Sequence, residues 1–211
     1  MKKFRLNFTI SLLIIWLPVV VELFFWNKLP TRIATHFNAS MVADTYSSKA
    51  FAIFSMPLIM TAAQLLIVFL ILHDPKNQNV TPWINYLVMF IVPIIGLVAT
   101  IGIFSTALGY NLFAFKQTGL NLMTGAIFIV IGVVLRKVRP NYTIGIRLPW
   151  TLNSDENWIR THKFAAKFYI GGGIVMLLTG FIPIKLLFLF VALVVIIVPC
   201  WYSYRLYKKG I

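Results

Sequence analysis

Six long apolar runs occupy most of this sequence, and they constrain its fold more than any other feature. A helix that crosses a bilayer needs about 20 mostly apolar residues. The runs are continuously apolar rather than alternating, which favours helices over the strands of a membrane barrel. We therefore predict an all-α fold, a polytopic membrane bundle of six transmembrane helices. The predicted spans are Phe8–Trp26, Ala50–Leu72, Trp83–Leu108, Gly119–Leu135, Ala166–Ile184 and Leu186–Tyr204.

The composition excludes an ordinary soluble domain. The 211 residues are 60% hydrophobic and 11% charged, whereas soluble domains average about 45–50% apolar and about 25% charged. A formal net charge of +14 would suggest nucleic acid in a soluble protein, but no nucleic-acid-binding motif is present. The positive charge fits loops that face anionic lipid, so the predicted partner is the lipid bilayer, with no direct nucleic acid binding.

Lysine and arginine set the orientation of the predicted spans. With the N-terminus inside, the cytoplasmic segments carry 14 of the 19 Lys and Arg residues and the outer segments carry 5. This positive-inside bias predicts that both termini are cytoplasmic. The first span is then an uncleaved signal anchor, and Pro183–Lys185 forms a tight hairpin between the last two spans.

Two connections are long enough to have a function of their own. One is the outer loop 27–49, and the other is the cytoplasmic loop 136–165. We accordingly divide the chain into an N-terminal two-span segment, residues 1–72, and a four-span segment, residues 73–211. Because the two loops face opposite sides of the membrane, the arrangement suits a receptor, a channel regulator or a transporter.

The outer loop contains one alternating stretch. Arg32–Phe37 predicts a short strand, and Asn38–Ser40 predicts a turn after it. The side chains of His36, Asn38 and Asp44 either bond within the loop, which is the favoured interpretation, or contact a ligand.

The cytoplasmic loop contains the start of a helix. Asn153 or Ser154 is expected to cap it, and Asn153 has capping-box spacing to Glu156. Trp158 and His162 then lie on the same helical face as Ala165, and the helix continues directly into the fifth span.

The tryptophans and cations of the cytoplasmic loop have two interpretations. Trp150 and Trp158 suit the headgroup zone of a membrane, and Arg147, Arg160 and Lys163 suit contact with lipid phosphates. The alternative, given equal weight, is a docking surface for a protein.

Catalytic and metal-binding patterns are missing from the sequence. There is no H-E-x-x-H, G-x-S-x-G or P-loop motif, so we predict no cofactor, no metal site and no enzymatic activity. His36 is predicted outside, whereas His73 and His162 are predicted inside. Glu22 is the one acid within a predicted span, and we interpret it as an interfacial carboxylate paired with Lys28 or Arg32 rather than as a transport residue.

Two stretches carry a family resemblance. Gly145–Leu152 reads GIRLPWTL and Asn157–Lys163 reads NWIRTHK; together they strongly resemble the signature of the SdpI/YfhL family of bacterial membrane proteins. Leu29–Asn38 resembles a small domain of unknown function that often precedes that signature. Ala39–Met41 departs from that domain, which usually has a small residue and Gly before an acid there.

The resemblance implies a location in the bacterial cell membrane and a function in immunity. The family's namesake protects its producer from a secreted, membrane-active peptide toxin, and when bound to toxin it also holds a transcriptional repressor at the membrane. A peptide toxin and a cytoplasmic repressor are therefore the implied partners. The implied outer-loop ligand residues are Leu29, Pro30, Arg32, His36, Phe37, Asn38 and Asp44. The implied cytoplasmic docking residues are Gly145, Arg147, Pro149, Trp150, Trp158, Arg160, Thr161, His162 and Lys163.

Two other functions stay open at the level of sequence. A transporter or exporter of peptide or lipid would use a polar path through the bundle, with Glu22 as the first residue to test. A membrane enzyme, the least favoured alternative, would act through His36 or His162.

Overall fold

The computed structural model describes residues 2–38, 42–110, 117–182 and 186–211. The turn at Asn38–Ser40, the departure at Ala39–Met41 and the hairpin at Pro183–Lys185 lie wholly or partly outside these residues. The described elements are α1 Lys2–Phe24, β1 Arg32–Phe37, β2 Ala43–Ser48, α2 Lys49–His73, α3 Pro82–Ala107, α4 Gln117–Lys137, α5 Pro149–Asn153, α6 Asp155–Leu178 and α7 Leu187–Lys208. Single 3₁₀ turns lie at Trp26–Lys28 and Asn77–Asn79.

Within the described residues, five helices are long and apolar enough to cross a membrane: α1, α2, α3, α4 and α7. These helices confirm the prediction of a largely helical membrane fold. Most of the predicted fifth span falls in α6, which is not among the five because its N-terminal part carries polar residues, among them His162, Lys163 and Lys167. The sixth span and the sidedness of the termini stay predictions.

The chain forms two compact units. The first comprises Met1–Leu70 and Asn85–Gln117, and the second comprises Ile71–Ile84 and Thr118–Ile211. The division into residues 1–72 and 73–211 stays a prediction.

In the first unit, the loop that is predicted to lie outside folds into an antiparallel hairpin, called the outer hairpin below. Strand β1 pairs with β2 from Arg32↔Ser48 to Phe37↔Ala43, with irregular register near His36. The predicted strand is therefore confirmed, whereas its partner β2 was not predicted, and the hairpin is a β-sheet addition to the expected all-α fold. Ile33, exposed by only 1%, anchors the hairpin in an apolar cluster. The other buried members of the cluster are Val19, Leu29, Ala52, Ile53 and Phe104.

Polar side chains also lie inside the first unit. Gln64 is fully buried and donates to the Ser11 hydroxyl (2.8 Å) and to the Met89 carbonyl (3.1 Å). Glu22 is 4% exposed, and neither carboxylate oxygen has a hydrogen-bond partner among the described residues. Its predicted pairing with Lys28 or Arg32 is wrong because Glu22 lies on the buried face of α1, whereas those two cations lie on the exposed outer loop.

In the second unit, glycines allow helices to approach closely. A Cβ built on Gly125 would lie 2.8 Å from the carbonyl oxygen of Gly173, and one built on Gly172 would lie 2.8 Å from Val191 Cγ1. Small residues at such contacts let helix backbones pack tightly inside a membrane. This packing fixes α6 against both α4 and α7.

Candidate functional site

The signature that is predicted to be cytoplasmic lies in the second unit and begins with a turn held by Asp74. The Asp74 carboxylate accepts hydrogen bonds from the backbone N–H groups of Lys76 (2.8 Å) and Tyr142 (2.9 Å) and from the Thr143 hydroxyl (2.8 Å). Asn141 closes the turn, since its side-chain oxygen accepts from the N–H of Ile144 (2.6 Å). Sequence reasoning missed both residues because Asp74 lies nearly 70 positions before the loop that it holds.

Gly145 and His162 form the next contact of the signature. The N–H of Ile146 donates to His162 Nε2 (2.9 Å), so the ring is neutral and its Nδ1–H donates to the Trp158 carbonyl (2.8 Å). Burial lowers the pKa of His162 from 6.5 to about 4, although the hydrogen bond to Trp158 opposes that shift. Gly145 has φ +128°, and a Cβ there would overlap His162 Nε2. The signature therefore requires a glycine opposite the imidazole.

Trp158 is part of the protein interior. It is fully buried, its indole N–H donates to the Val138 carbonyl (3.2 Å), and its ring stacks on His162 with centroids 4.1 Å apart. The predicted position in the headgroup zone is therefore wrong for Trp158. The same burial confirms the predicted common face of Trp158, His162 and Ala165, all of which are at most 1% exposed.

A short helix that was not predicted precedes α6. Pro149 is the first residue of α5, a favoured position for proline, and the Thr151 hydroxyl accepts from the Leu148 N–H (2.8 Å). Asn153 ends α5 and so cannot cap α6, which makes the predicted capping box with Glu156 wrong. Ser154 is the cap, and its hydroxyl accepts from the N–H of Asn157 (3.1 Å).

Asn157 joins α6 to α7 and to the C-terminal segment. Its side-chain nitrogen donates to the carbonyls of Ser203 (3.2 Å) and Ile211 (2.9 Å). Its side-chain oxygen accepts from the hydroxyls of Ser203 (2.8 Å) and Thr161 (3.0 Å). Trp150 completes this network, because its indole N–H donates to Ser203 Oγ (2.9 Å). Sequence reasoning missed Asn157 and Ser203, which are 46 positions apart.

The predicted docking residues divide by exposure. Trp158, Thr161 and His162 are buried and bond within the protein. Gly145 and Trp150 are half-buried, and Trp150 stacks on Tyr207 with centroids 5.5 Å apart. The exposed members are Arg147, Pro149, Arg160 and Lys163. Only the exposed and half-buried members can contact a partner directly. The buried members stabilise the conformation of the segment that carries them.

The outer-loop residues lie together on the hairpin of the first unit. His36 Nδ1–H donates to Asp44 Oδ1 (2.6 Å), and this hydrogen bond lowers the pKa of Asp44. Asn38 Oδ1 accepts from the N–H of Val42 (3.1 Å), so all three polar side chains bond within the loop, as the favoured interpretation held. Arg32 donates to the Tyr46 carbonyl (2.9 Å).

The remaining members of the outer-loop set differ in exposure. Leu29 is buried, Phe37 is half-buried and Pro30 is exposed. Across the described residues, no group of three or more His, Cys, Asp or Glu side chains comes together at metal-binding distance.

Known proteins match both parts of the chain. Residues 137–203 match the model of the SdpI/YfhL protein family, and residues 13–61 match a domain of unknown function (DUF1648). The Immunity protein SdpI of Bacillus subtilis (strain 168) is 25% identical over 203 residues, which are 95% of this chain and 95% of that protein. No solved structure matches the chain.

These matches confirm the resemblance that both loops carry in the sequence. They cover the signature on α5 and α6 and both strands of the hairpin. Together with the five apolar helices, they identify the chain as a multi-pass protein of a bacterial cell membrane.

Proposed function

We propose that this multi-pass bacterial membrane protein, with its SdpI/YfhL segment and preceding domain of unknown function, is an immunity protein against a secreted, membrane-active peptide toxin. The observation that carries the proposal is the alignment with an immunity protein over 95% of both chains. That alignment spans the outer hairpin and the cytoplasmic signature together. On this proposal the chain is not an enzyme.

The outer hairpin is the proposed toxin-binding element. It combines an apolar base, anchored through Ile33, with exposed polar groups on Arg32, His36 and Asp44. A peptide that partitions into the outer leaflet would find apolar and hydrogen-bonding groups side by side. The His36–Asp44 bond holds two of these groups in fixed positions.

The cytoplasmic signature is the proposed docking surface for a repressor. Its exposed cations Arg147, Arg160 and Lys163 surround a frame that is fixed by buried hydrogen bonds. Toxin binding would change repressor docking only if the toxin had different affinities for two arrangements of the protein. This receptor role requires the hairpin outside the cell and the signature in the cytoplasm, as they lie when α6 is the fifth of six spans and both termini are cytoplasmic.

Complementation tests the immunity function. The chain is expressed in Bacillus subtilis cells that lack their own SdpI, and survival is measured in medium from the parent strain. We expect survival to approach that of cells that regain SdpI itself. Killing equal to the empty-vector control, at a membrane level matched to SdpI, would contradict the proposal.

Variants of the hairpin locate the proposed toxin site. Asp44→Ala and His36→Ala should lower survival, because each removes one side of the His36–Asp44 pair. Thr45→Ala is the matched control on the same strand, since its hydroxyl makes only a long contact to Asp44 (3.4 Å). Equal survival for all three variants would show that the His36–Asp44 pair of the hairpin is not needed for toxin recognition.

Transport of a peptide or lipid is the second candidate function, and one observation favours it. Glu22 is a buried carboxylate in an apolar helix, and its two oxygens find no hydrogen-bond partner in the part of the chain that the structure describes. Acids in such positions often mark transport paths. Glu22→Gln in liposomes should then abolish flux. If Glu22→Gln protects cells as well as the unaltered chain does, protection does not depend on transport through this residue.

A further inference from the structure

One exposed face of α6 changes from cationic to apolar along its length. Arg160, Lys163 and Lys167 follow one another at helical spacing, and Gly171 and Val175 continue the same face. All five are exposed, and residues three or four apart lie on the same side of a helix. The face therefore has the polarity of a phospholipid, which is charged at one end and apolar at the other.

A groove between α6 and α7 opens along this face. Its volume is about 420 Å³, and its lining is apolar apart from Lys167. Gly171 and Val175 line it from α6, while Phe190 and Val194 line it from α7. Because an α-helix rises 1.5 Å per residue, the groove extends about 12 Å from Lys167 to Val175. That length fits a substantial part of one acyl chain.

Lys167 lies just inside the polar end of this helix pair. One turn earlier on α6, the Phe164 ring stacks on Tyr202 of α7 with centroids 4.1 Å apart, and further back Asn157 bonds Ser203. A lysine near the polar end of a membrane helix extends its side chain toward the lipid headgroups or binds an anion. Within the described part of the chain, Lys167 forms no ion pair, so its ammonium group is available to an anion.

We propose that the α6–α7 groove binds an anionic phospholipid, with one acyl chain between Gly171 and Phe190 and the phosphate on Lys167. Lys163 extends the positive face outward from that phosphate, which favours a headgroup with net negative charge over a zwitterionic one. Arg160, further along the face, is ion-paired with Glu156. Lys163 also belongs to the proposed repressor surface, but lipid binding at this site does not depend on the immunity function.

Native mass spectrometry of the full chain tests the site. The protein is released from mixed micelles that contain equal amounts of phosphatidylglycerol and phosphatidylcholine, and the retained lipids are counted. We expect the unaltered chain to retain phosphatidylglycerol several-fold over phosphatidylcholine. Lys167→Gln should remove that preference, whereas Lys167→Arg should keep it.

Gly171→Leu tests the apolar part of the groove. A Cβ at Gly171 meets no atom within 4 Å, so the larger side chain should fill the groove without disturbing the fold and lower retention of both lipids. Arg136→Gln is the matched control, because it removes one exposed charge at the end of α4, away from the groove lining. It should leave the lipid preference unchanged.

Three outcomes would overturn the proposal. The first is an unchanged preference in Lys167→Gln, and the second is an equal loss in Arg136→Gln, which would indicate general charge attraction. The third is a dimer that dissociates in Gly171→Leu while lipid retention stays constant, which would make a second copy of this chain the occupant of the groove.

Discussion

Gly145 is the residue at which backbone conformation and packing impose the same requirement. Its φ of +128° is unfavourable for a side chain, and a Cβ would overlap His162 and lie 3.0 Å from the Trp158 ring. Backbone strain of this kind costs about 1–3 kcal/mol, before the clash is counted. We therefore expect Gly145→Ala to lower the melting temperature of the detergent-solubilised protein clearly, as measured by tryptophan fluorescence.

Gly171→Ala is the control for this substitution. Gly171 lies within a helix, and a Cβ there meets nothing within 4 Å, so alanine should be neutral or stabilise the helix by up to about 1 kcal/mol. Equal melting temperatures for the two variants would contradict the assigned role of Gly145.

His162 makes stability depend on pH. Its pKa falls from 6.5 in the unfolded chain to about 4 in the folded protein, so the unfolded state binds more protons between those values. The contribution of neutral His162 to the free energy of unfolding is complete above about pH 6.5 and is lost as the pH falls toward 4. The shift corresponds to about 3 kcal/mol at 1.36 kcal/mol per pKa unit. Protonation at Nε2 would also break the bond from the Ile146 N–H.

Unfolding measured against pH checks this prediction. The unaltered chain should lose more stability between pH 6.5 and pH 4 than His162→Gln does. His73→Gln, at an exposed histidine of the same unit, should follow the unaltered chain. Parallel curves for all three proteins would show that His162 is not held neutral.

At the scale of elements, Asn157 and Ser203 are expected to act as one unit that joins α6 to α7. Asn157→Ala would leave the Ser203 and Ile211 carbonyls without their side-chain donor, and a buried group without its partner costs about 1–3 kcal/mol. Ser203→Ala should cost less, because it removes one hydroxyl. A double-mutant cycle on unfolding free energies should give a coupling of about 0.5–3 kcal/mol. A coupling near zero would mean that the two side chains stabilise the fold independently.

The sequence predicted the elements that depend on local pattern. Long apolar runs predicted the five helices that can span a membrane. The helical spacing of Trp158 and His162 predicted the buried face of α6. Alternating polar and apolar residues predicted β1. The sequence did not predict β2, because Ala43–Ser48 lacks apolar alternation, or α5, which is a single short turn after Pro149.

The rest of the candidate site depends on contacts between distant positions. Asp74 with Thr143 and Asn157 with Ser203 are joined by hydrogen bonds that no local pattern records. The error at Trp158 has the same cause, since only tertiary packing decides whether an indole faces lipid or the protein interior. Exposed cations such as Arg147 and Lys163 were correctly expected at the surface, because charge resists burial.

At the scale of the whole molecule, the number of spans and the sidedness of both loops are linked. If α6 crosses the membrane, there are six spans and the C-terminus lies on the same side as the N-terminus. If α6 lies along the inner surface, five spans remain, and the C-terminus lies on the opposite side. The positive-inside bias favours the first arrangement, because Arg205, Lys208 and Lys209 are then cytoplasmic.

Thiol labelling of intact cells distinguishes the two arrangements. Cys200 is the one cysteine of the chain, so Cys200→Ser gives a background for single cysteines at the exposed residues Val42, Asp155 and Lys209. With a membrane-impermeant maleimide, we expect Val42→Cys to react in intact cells, and Asp155→Cys and Lys209→Cys to react only after permeabilisation. Reaction of Lys209→Cys alone among the latter two would indicate five spans, and the C-terminus would then lie outside. Reaction of Asp155→Cys in intact cells would place the signature outside, where no cytoplasmic repressor could reach Arg147 or Lys163.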